Sequence, residues 1–146
     1  MKPFRFSLER ILDLRRRRLE EAEAEMARAL AEVRATAERA AAIDHESALL
    51  DEGLRSNASW KGRDLAAGDA WRHKLTDQRR VVEAEGRRRQ SHVEELRRKL
   101  TAARIDLRAL ESLRDRRLAD WRRELSREEE ALAGELFLAR WKRKSG

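Results

Sequence analysis

One stretch decides the fold, residues 8–54: LERILDLRRRRLEEAEAEMARALAEVRATAERAAAIDHESALLDEGL. Positions in it that alternate by steps of four and three are mostly apolar, eleven of fourteen. Such spacing, kept over about seven heptads, predicts a coiled-coil helix rather than an ordinary amphipathic helix. The small residues in its middle would let a partner helix approach closely. The seam positions are Leu8, Leu12, Arg15, Leu19, Ala22, Met26, Ala29, Val33, Thr36, Ala40, Ile43, Ser47, Leu50 and Leu54.

Composition points to the same fold class. The 146 residues include 23 Ala and 20 Leu, 43% are charged, 5% are aromatic, and Pro3 is the single proline. Few β-branched residues and few helix breakers favour long helices over a sheet. The large apolar side chains are too few for a globular interior, so we expect a thin seam. The prediction is an all-α fold of two long helices in an antiparallel coiled-coil hairpin, the second longer, with residues 1–146 as one domain.

A break in the pattern separates the two helices. Residues 56–65 read SNASWKGRDL and hold Gly, Asn and two Ser, which is typical of a connector. We therefore predict a first helix over residues 5–55 and a second over residues 66–141, with a fraying basic tail at 142–146. Asp64 or Asp69 would cap the second helix.

The second helix has its own seam in two apolar stretches. From Leu110 through Arg114 to Leu118 the step is four plus four, which resembles a stutter that locally unwinds a supercoil. Between the stretches, residues 83–92 are almost wholly polar and contain Gly86, so we expect the softest part there. The apolar seam positions are Trp71, Leu75, Val82, Val93, Leu96, Leu100, Ala103, Leu107, Leu110, Leu118, Trp121, Leu125, Leu132 and Leu136.

Charge favours antiparallel pairing within one chain. Residues 19–55 hold four Arg and ten acids, whereas residues 67–103 hold ten Lys or Arg and six acids. Folding back near residue 60 places these segments side by side, and opposite charges beside the seam then set the orientation. A parallel dimer of hairpins remains open.

The unequal helices predict an overhang. At 1.5 Å per residue the first helix is roughly 75 Å long and the second roughly 115 Å. Residue 5 would lie opposite about residue 117, so the chain from Leu118 onward would project alone. This overhang carries Trp121, Leu125, Leu132, Leu136, Phe137 and Trp141. Uncovered apolar groups of this kind indicate contact with another protein.

No catalytic or cofactor chemistry is predicted. The chain has no Cys, its six Gly form no phosphate loop, and its three His show no metal-binding spacing. Paired acids lie on exposed helix faces, where no enclosed pocket could tune their pKa values. We expect no enzyme, cofactor or metal. Because the chain has no long apolar run, we also expect no membrane span and no direct membrane insertion.

Two basic runs, residues 15–18 and 87–89, raise the question of nucleic acid. Both are embedded in acid-containing helices and lack interleaved aromatic residues for base stacking. A solvated charged face is the favoured interpretation, with an acidic protein or anionic lipid as the next. We expect no nucleic-acid partner, although a basic architectural protein stays as a minor alternative.

The amino-terminal residues resemble a known family. Residues 4–15, FRFSLERILDLR, are similar to the opening of FliJ, a component of the bacterial flagellar type III export apparatus. Residues 110–117, LESLRDRR, are similar to its later charge-rich segment. The resemblance implies a coiled-coil stalk on the cytoplasmic side of the inner membrane that serves flagellum biogenesis and motility. It would link the hexameric export ATPase to the export-gate membrane protein and escort export chaperones.

The resemblance also implies site residues. Those for the export gate would lie near the turn: Ile43, Leu50, Leu54, Trp71, Leu75 and Val82. Those for the ATPase would lie where the chain ends meet: Phe4, Phe6, Arg15, Arg16, Arg17, Arg18, Trp121, Leu132 and Leu136. A stalk or adaptor of a virulence type III secretion system is the leading alternative. A disordered chain that folds on a partner is another, because the mean hydropathy is −0.88.

Overall fold

The structure, a computed structural model, describes residues 1–56 and 60–146. Two helices account for nearly all of them: α1 (Glu9–Ser56) and α2 (Gly62–Ser145). The described residues contain no strand. The predicted all-α class with a longer second helix is thus confirmed. They divide into two units, a terminal unit of residues 1–20 and 101–146 and a middle unit of residues 21–100.

The helix ends differ from the predicted ones by a few residues. α1 begins at Glu9 rather than residue 5, because the chain turns at Ser7 and Leu8 and the Glu9 amide donates to the Phe6 carbonyl at 3.1 Å. α2 begins at Gly62 rather than residue 66 and runs to Ser145 rather than residue 141. Three residues of the predicted connector, Asn57, Ala58 and Ser59, lie outside the described residues.

Asp64 caps the start of α2. The Lys61 carbonyl accepts from the Asp64 amide at 2.9 Å, and the Lys61 amide donates back to the Asp64 carboxylate at 3.4 Å. This reciprocal pair resembles a capping box, in which a side chain in the first turn satisfies the amide of the residue before the helix. Of the two predicted caps, Asp64 and not Asp69 makes this contact.

The α1 seam is confirmed at every position. All fourteen predicted residues are buried or half-buried, including the polar Arg15, Thr36 and Ser47. Leu12 is fully buried and Ala29 is 4% exposed. Burying one leucine side chain contributes about 2 kcal/mol, so the seam supplies the main apolar stabilisation.

In the middle unit the two helices run antiparallel. Ion pairs join Glu32 to Arg89, Asp44 to Arg79 and Asp51 to Arg72. The residue number in α2 falls as the number of its partner in α1 rises, which is the pattern of antiparallel helices. In each of these three pairs the acid lies on α1 and the arginine on α2. The predicted attraction between the acidic and basic segments is therefore present.

Polar and small residues fill gaps in the α2 seam of the middle unit. Arg79, Gly86 and Arg89 are half-buried, continuing the spacing between the buried Leu75, Val82 and Val93. A Cβ added to Gly86 would lie 3.4 Å from Thr36 Cγ2, and Thr36 is 6% exposed. The sequence assigned no seam role to these three residues.

The terminal unit is also an antiparallel pair. Glu9 pairs with Arg114 and Arg15 with Asp106. The predicted stutter is seen in the burial pattern, because Leu110, Arg114 and Leu118 are all half-buried at steps of four. The core joins the buried Phe6, Leu12 and Leu107 to five partly buried residues: Phe4, Leu8, Leu19, Leu110 and Leu113.

Candidate partner-binding surfaces

The amino-terminal residues 1–8, which we call the strap, cover part of α2. The Trp121 indole donates to the Lys2 carbonyl at 3.0 Å, and the Phe4 and Trp121 rings lie 6.1 Å apart. The guanidinium of Arg117 lies 5.8 Å from the centre of the Phe6 ring. The prediction that α2 projects alone from Leu118 onward is therefore wrong, since the strap packs on Trp121 and the Met1 amino group lies 3.8 Å from the Glu128 carboxylate.

These contacts change the status of the predicted ATPase residues. Phe6 is 7% exposed and belongs to the core, while Phe4 and Trp121 cover one another. Arg15 lies 3.5 Å from Asp106, and Arg16 lies 3.6 Å from Glu111. The predicted residues that remain exposed and free of these packing contacts are Arg17, Arg18, Leu132 and Leu136.

Beyond Leu125 every residue of α2 is exposed, and we call residues 126–146 the arm. Leu132 is 57% and Leu136 58% exposed, and Trp141 is 60% exposed. No other segment within the described residues packs along the arm, so all its faces are exposed to solvent. The uncovered apolar groups predicted for the overhang are therefore present in the arm. Phe137 and Leu138 are equally bare, at 69% and 55%.

Two open apolar grooves lie in the middle unit. The larger, the Ile43 groove, measures about 850 Å³. The smaller, the Trp60 groove, measures about 420 Å³. Lining the Ile43 groove are Arg39, Ala42, Ile43, Ala70, His73, Lys74, Asp77, Gln78, Val81 and Val82. Lining the Trp60 groove are Leu49, Leu50, Gly53, Leu54, Trp60, Asp64, Ala67, Gly68 and Trp71.

The structure divides the predicted gate residues into two kinds. Leu75 is 1% and Val82 4% exposed, so both hold the helices together. Ile43, Leu50 and Leu54 are half-buried and line the grooves, where part of each side chain faces outward.

Two tryptophans lie at the mouth of the Trp60 groove. Trp71 is 42% exposed and carries the Lys74 ammonium 4.7 Å from its ring centre. The seam position predicted for Trp71 is thus wrong, because it lies on the outer surface. The Trp60 indole donates to the Gly53 carbonyl at 3.1 Å, which fixes its ring over the groove.

Sequence reasoning missed two exposed apolar residues of these grooves. Val81 is 63% and Leu49 56% exposed. Each stands beside a seam residue, Val82 and Leu50. Since adjacent residues of a helix point about 100° apart, one member of each pair had to face outward.

Electrostatics in the middle unit is dominated by pairing across the helices. A hydrogen bond from Arg39 holds the pKa of Glu85 below its ordinary value, with help from Arg89. A hydrogen bond to Asp44 raises the pKa of Arg79 above its ordinary value. These charges strengthen the helix pair rather than form a reactive centre.

Residues 1–56 and 60–146 contain no group of three or more side chains suited to holding a metal ion. Within the same residues no helix is both long enough and apolar enough to span a bilayer.

Antiparallel helix pairs with open apolar grooves define a helical, coiled-coil-like protein. A family model described as "Flagellar FliJ protein" matches residues 4–146, and the chain belongs to the FliJ family. It is accordingly a structural component of the flagellar protein export apparatus. Searches of curated proteins and of solved structures found no significant match.

Proposed function

We propose that the chain acts as a stalk that links the hexameric export ATPase to the export-gate membrane protein, with export chaperones as further ligands. One observation carries the proposal: each unit has its own apolar surface that helix pairing leaves uncovered. A single chain that binds two partners at separate surfaces can couple them without a cofactor. Its place would be peripheral, on the cytoplasmic side of the inner membrane, where both partners meet.

The gate surface in this proposal is the Trp60 groove together with the Ile43 groove. Its contact residues are those with outward-facing apolar area, namely Ile43, Leu50, Leu54 and Trp71, to which we add Leu49 and Val81. Large aromatic groups at a groove mouth are frequent binding hot spots. Leu75 and Val82 contribute indirectly, because they hold the two walls together.

The ATPase surface is the arm, with Leu132 and Leu136 as its apolar contacts. Both continue the spacing of Leu118, Trp121 and Leu125, so they lie on the extension of the seam face. A partner helix could pack there as α1 packs elsewhere. Arg17 and Arg18 would add exposed positive charge from the same unit.

Binding to the purified gate protein tests the first surface. Leu49→Ala combined with Trp71→Ala should lower affinity about tenfold or more, since truncated hot spots cost at least about 2 kcal/mol. Leu30→Ala, at a residue of the same unit that is 40% exposed and outside both grooves, is the matched control. Equal affinity of the double variant and the control would contradict the gate assignment.

A stoichiometric pull-down with the export ATPase tests the second surface. Leu132→Ala combined with Leu136→Ala should abolish capture while helicity by circular dichroism is retained, because both residues are exposed. Ile105→Ala, also in the terminal unit and 61% exposed, should bind as the unaltered chain does. Full capture of the double variant would show that the arm is not the ATPase surface.

A further inference from the structure

The arm carries a second apolar face that the proposed stalk role does not use. Each residue of an α-helix turns by about 100°, which places Phe137, Leu138 and Trp141 within one arc about 100° wide. The same geometry puts Leu132 and Leu136 on the opposite side. We call the arc the Trp141 face, and its three residues are 69%, 55% and 60% exposed.

Cations flank the Trp141 face on both sides. By the same rotation Lys142 lies beside Leu138, and Lys144 beside Phe137. Residues 136–146 hold four Lys or Arg and no acid, the last acid being Glu135. An apolar face flanked by lysines, with no acid among residues 136–146, is complementary to a surface whose apolar interior lies beneath anionic headgroups.

We propose that the Trp141 face binds the surface of a bilayer that contains anionic lipids. Trp and Phe enter the boundary between headgroups and acyl chains, where the Trp ring is apolar and its N–H stays near water. The long stems of Lys142 and Lys144 lie along the apolar layer while their ammonium groups reach phosphate. The helix lies in the plane of the interface and does not cross it.

An acidic protein is the other conceivable ligand, and the residue pattern disfavours it. The cations are spread on both flanks of the aromatic arc, as a helix lying flat on a charged plane requires. This inference goes beyond the stalk role, because it concerns a different face and needs no export protein.

Vesicle binding by the full chain tests the proposal. The chain should co-sediment with vesicles of phosphatidylcholine and phosphatidylglycerol in equal parts, remain free with phosphatidylcholine alone, and dissociate as salt rises. In a variant that keeps Trp141 as its single tryptophan, emission should shift to shorter wavelength on binding. No phosphatidylglycerol-dependent binding would overturn the proposal.

Matched variants locate the face. Phe137→Ala with Trp141→Ala should weaken binding more than about tenfold, whereas Leu132→Ala with Leu136→Ala, on the opposite side, should leave it unchanged. Lys142→Gln with Lys144→Gln should also weaken it about tenfold or more, unlike Arg87→Gln with Arg88→Gln, which removes equal charge elsewhere. If either double variant lost no more vesicle affinity than its control, the assignment of the Trp141 face would be overturned.

A final experiment distinguishes a lipid surface from an acidic protein as the ligand of the Trp141 face. In the contrary outcome the chain fails to bind vesicles but binds polyglutamate, and that binding is abolished by Lys142→Gln and Lys144→Gln together. The Trp141 face then binds an acidic protein and the proposal is wrong. Because no assay here contains the ATPase, failure on vesicles would leave the proposed stalk role untouched, and failure of the pull-down would leave the vesicle result valid.

Discussion

The indole of Trp121 donates a hydrogen bond to the backbone carbonyl of Lys2 at 3.0 Å. This bond joins two residues that are 119 positions apart in the chain. It fixes the strap on α2, because Phe4 packs against the same ring and Phe6 enters the core. The strap thereby covers Trp121, which the sequence analysis predicted to be exposed.

Trp121→Ala should release the strap. The change removes the hydrogen bond and the ring under Phe4, so trypsin should cleave after Arg5 faster than in the unaltered chain, as followed by mass spectrometry. Trp121→Phe keeps an aromatic ring beside Phe4 but loses the hydrogen bond, which should cost about 1 kcal/mol of unfolding free energy. Trp141→Ala, at a residue 60% exposed, is the control; an equal cleavage rate in Trp121→Ala and this control would argue against a fixed strap.

Leu12→Ala should strongly destabilise the chain. Leu12 is fully buried in the terminal core, and truncating such a leucine costs about 2–5 kcal/mol through lost burial and the cavity left behind. Leu14→Ala, two residues away and 46% exposed, should cost about 0.5 kcal/mol. Thermal or urea unfolding measures both, and similar losses would contradict the placement of the seam.

Three glycines within α2 should respond differently to alanine. At Gly134 a new Cβ meets nothing within 4 Å, so Gly134→Ala should stabilise by about 0.5–1 kcal/mol through helix propensity. At Gly86 the Cβ would lie 3.4 Å from Thr36, and at Gly68 3.1 Å from Leu54. Melting temperatures should therefore rank Gly134→Ala above Gly86→Ala and Gly68→Ala lowest; the reverse order would show that the helices are not this close.

Stability should fall in acid partly through Glu85. Arg39 donates to its carboxylate at 2.9 Å and holds the pKa of Glu85 below its ordinary value. The charged carboxylate is thus favoured in the folded state. Its stabilisation is present above the ordinary pKa of glutamate and is lost as the pH falls through the lower pKa of the folded state. Glu85→Gln should lower the melting temperature at neutral pH, and the difference should shrink as the pH falls below the ordinary pKa of glutamate.

Glu46→Gln, which removes an exposed carboxylate of the same unit, is the control for that titration. It should follow the unaltered chain across the whole range. A constant gap between Glu85→Gln and the unaltered chain at every pH would mean that the Arg39 contact does not contribute.

A charge exchange tests the pairing of Asp44 with Arg79. The carboxylate lies 2.8 Å from the guanidinium, across the two helices. Asp44→Arg and Arg79→Asp should each lower the melting temperature, and the double exchange should recover part of the loss. Recovery stays incomplete because Arg79 also lies 2.7 Å from Glu83, which would then face an aspartate. Additive losses would show that the pair is not formed.

The sequence determined the class of fold and the α1 seam. Regular spacing of Leu, Met, Ala and Val with few breakers leaves a helix one way to bury its apolar residues, and this placed even the polar Thr36 and Ser47 correctly. The net charges of the two segments, which can be counted from the sequence, have opposite signs. They indicated antiparallel pairing because oppositely charged segments attract when the chain folds back.

Only the tertiary structure decided which polar residues join the seam and which apolar residues leave it. Gly86 and Arg89 are half-buried in the seam, whereas Trp71 is exposed and the Leu54 side chain packs over Gly68. The strap over Trp121 likewise joins residues far apart in the chain. Spacing along one helix reveals which residues share a face; what covers that face depends on contacts between distant segments, and those exist only once the chain has folded.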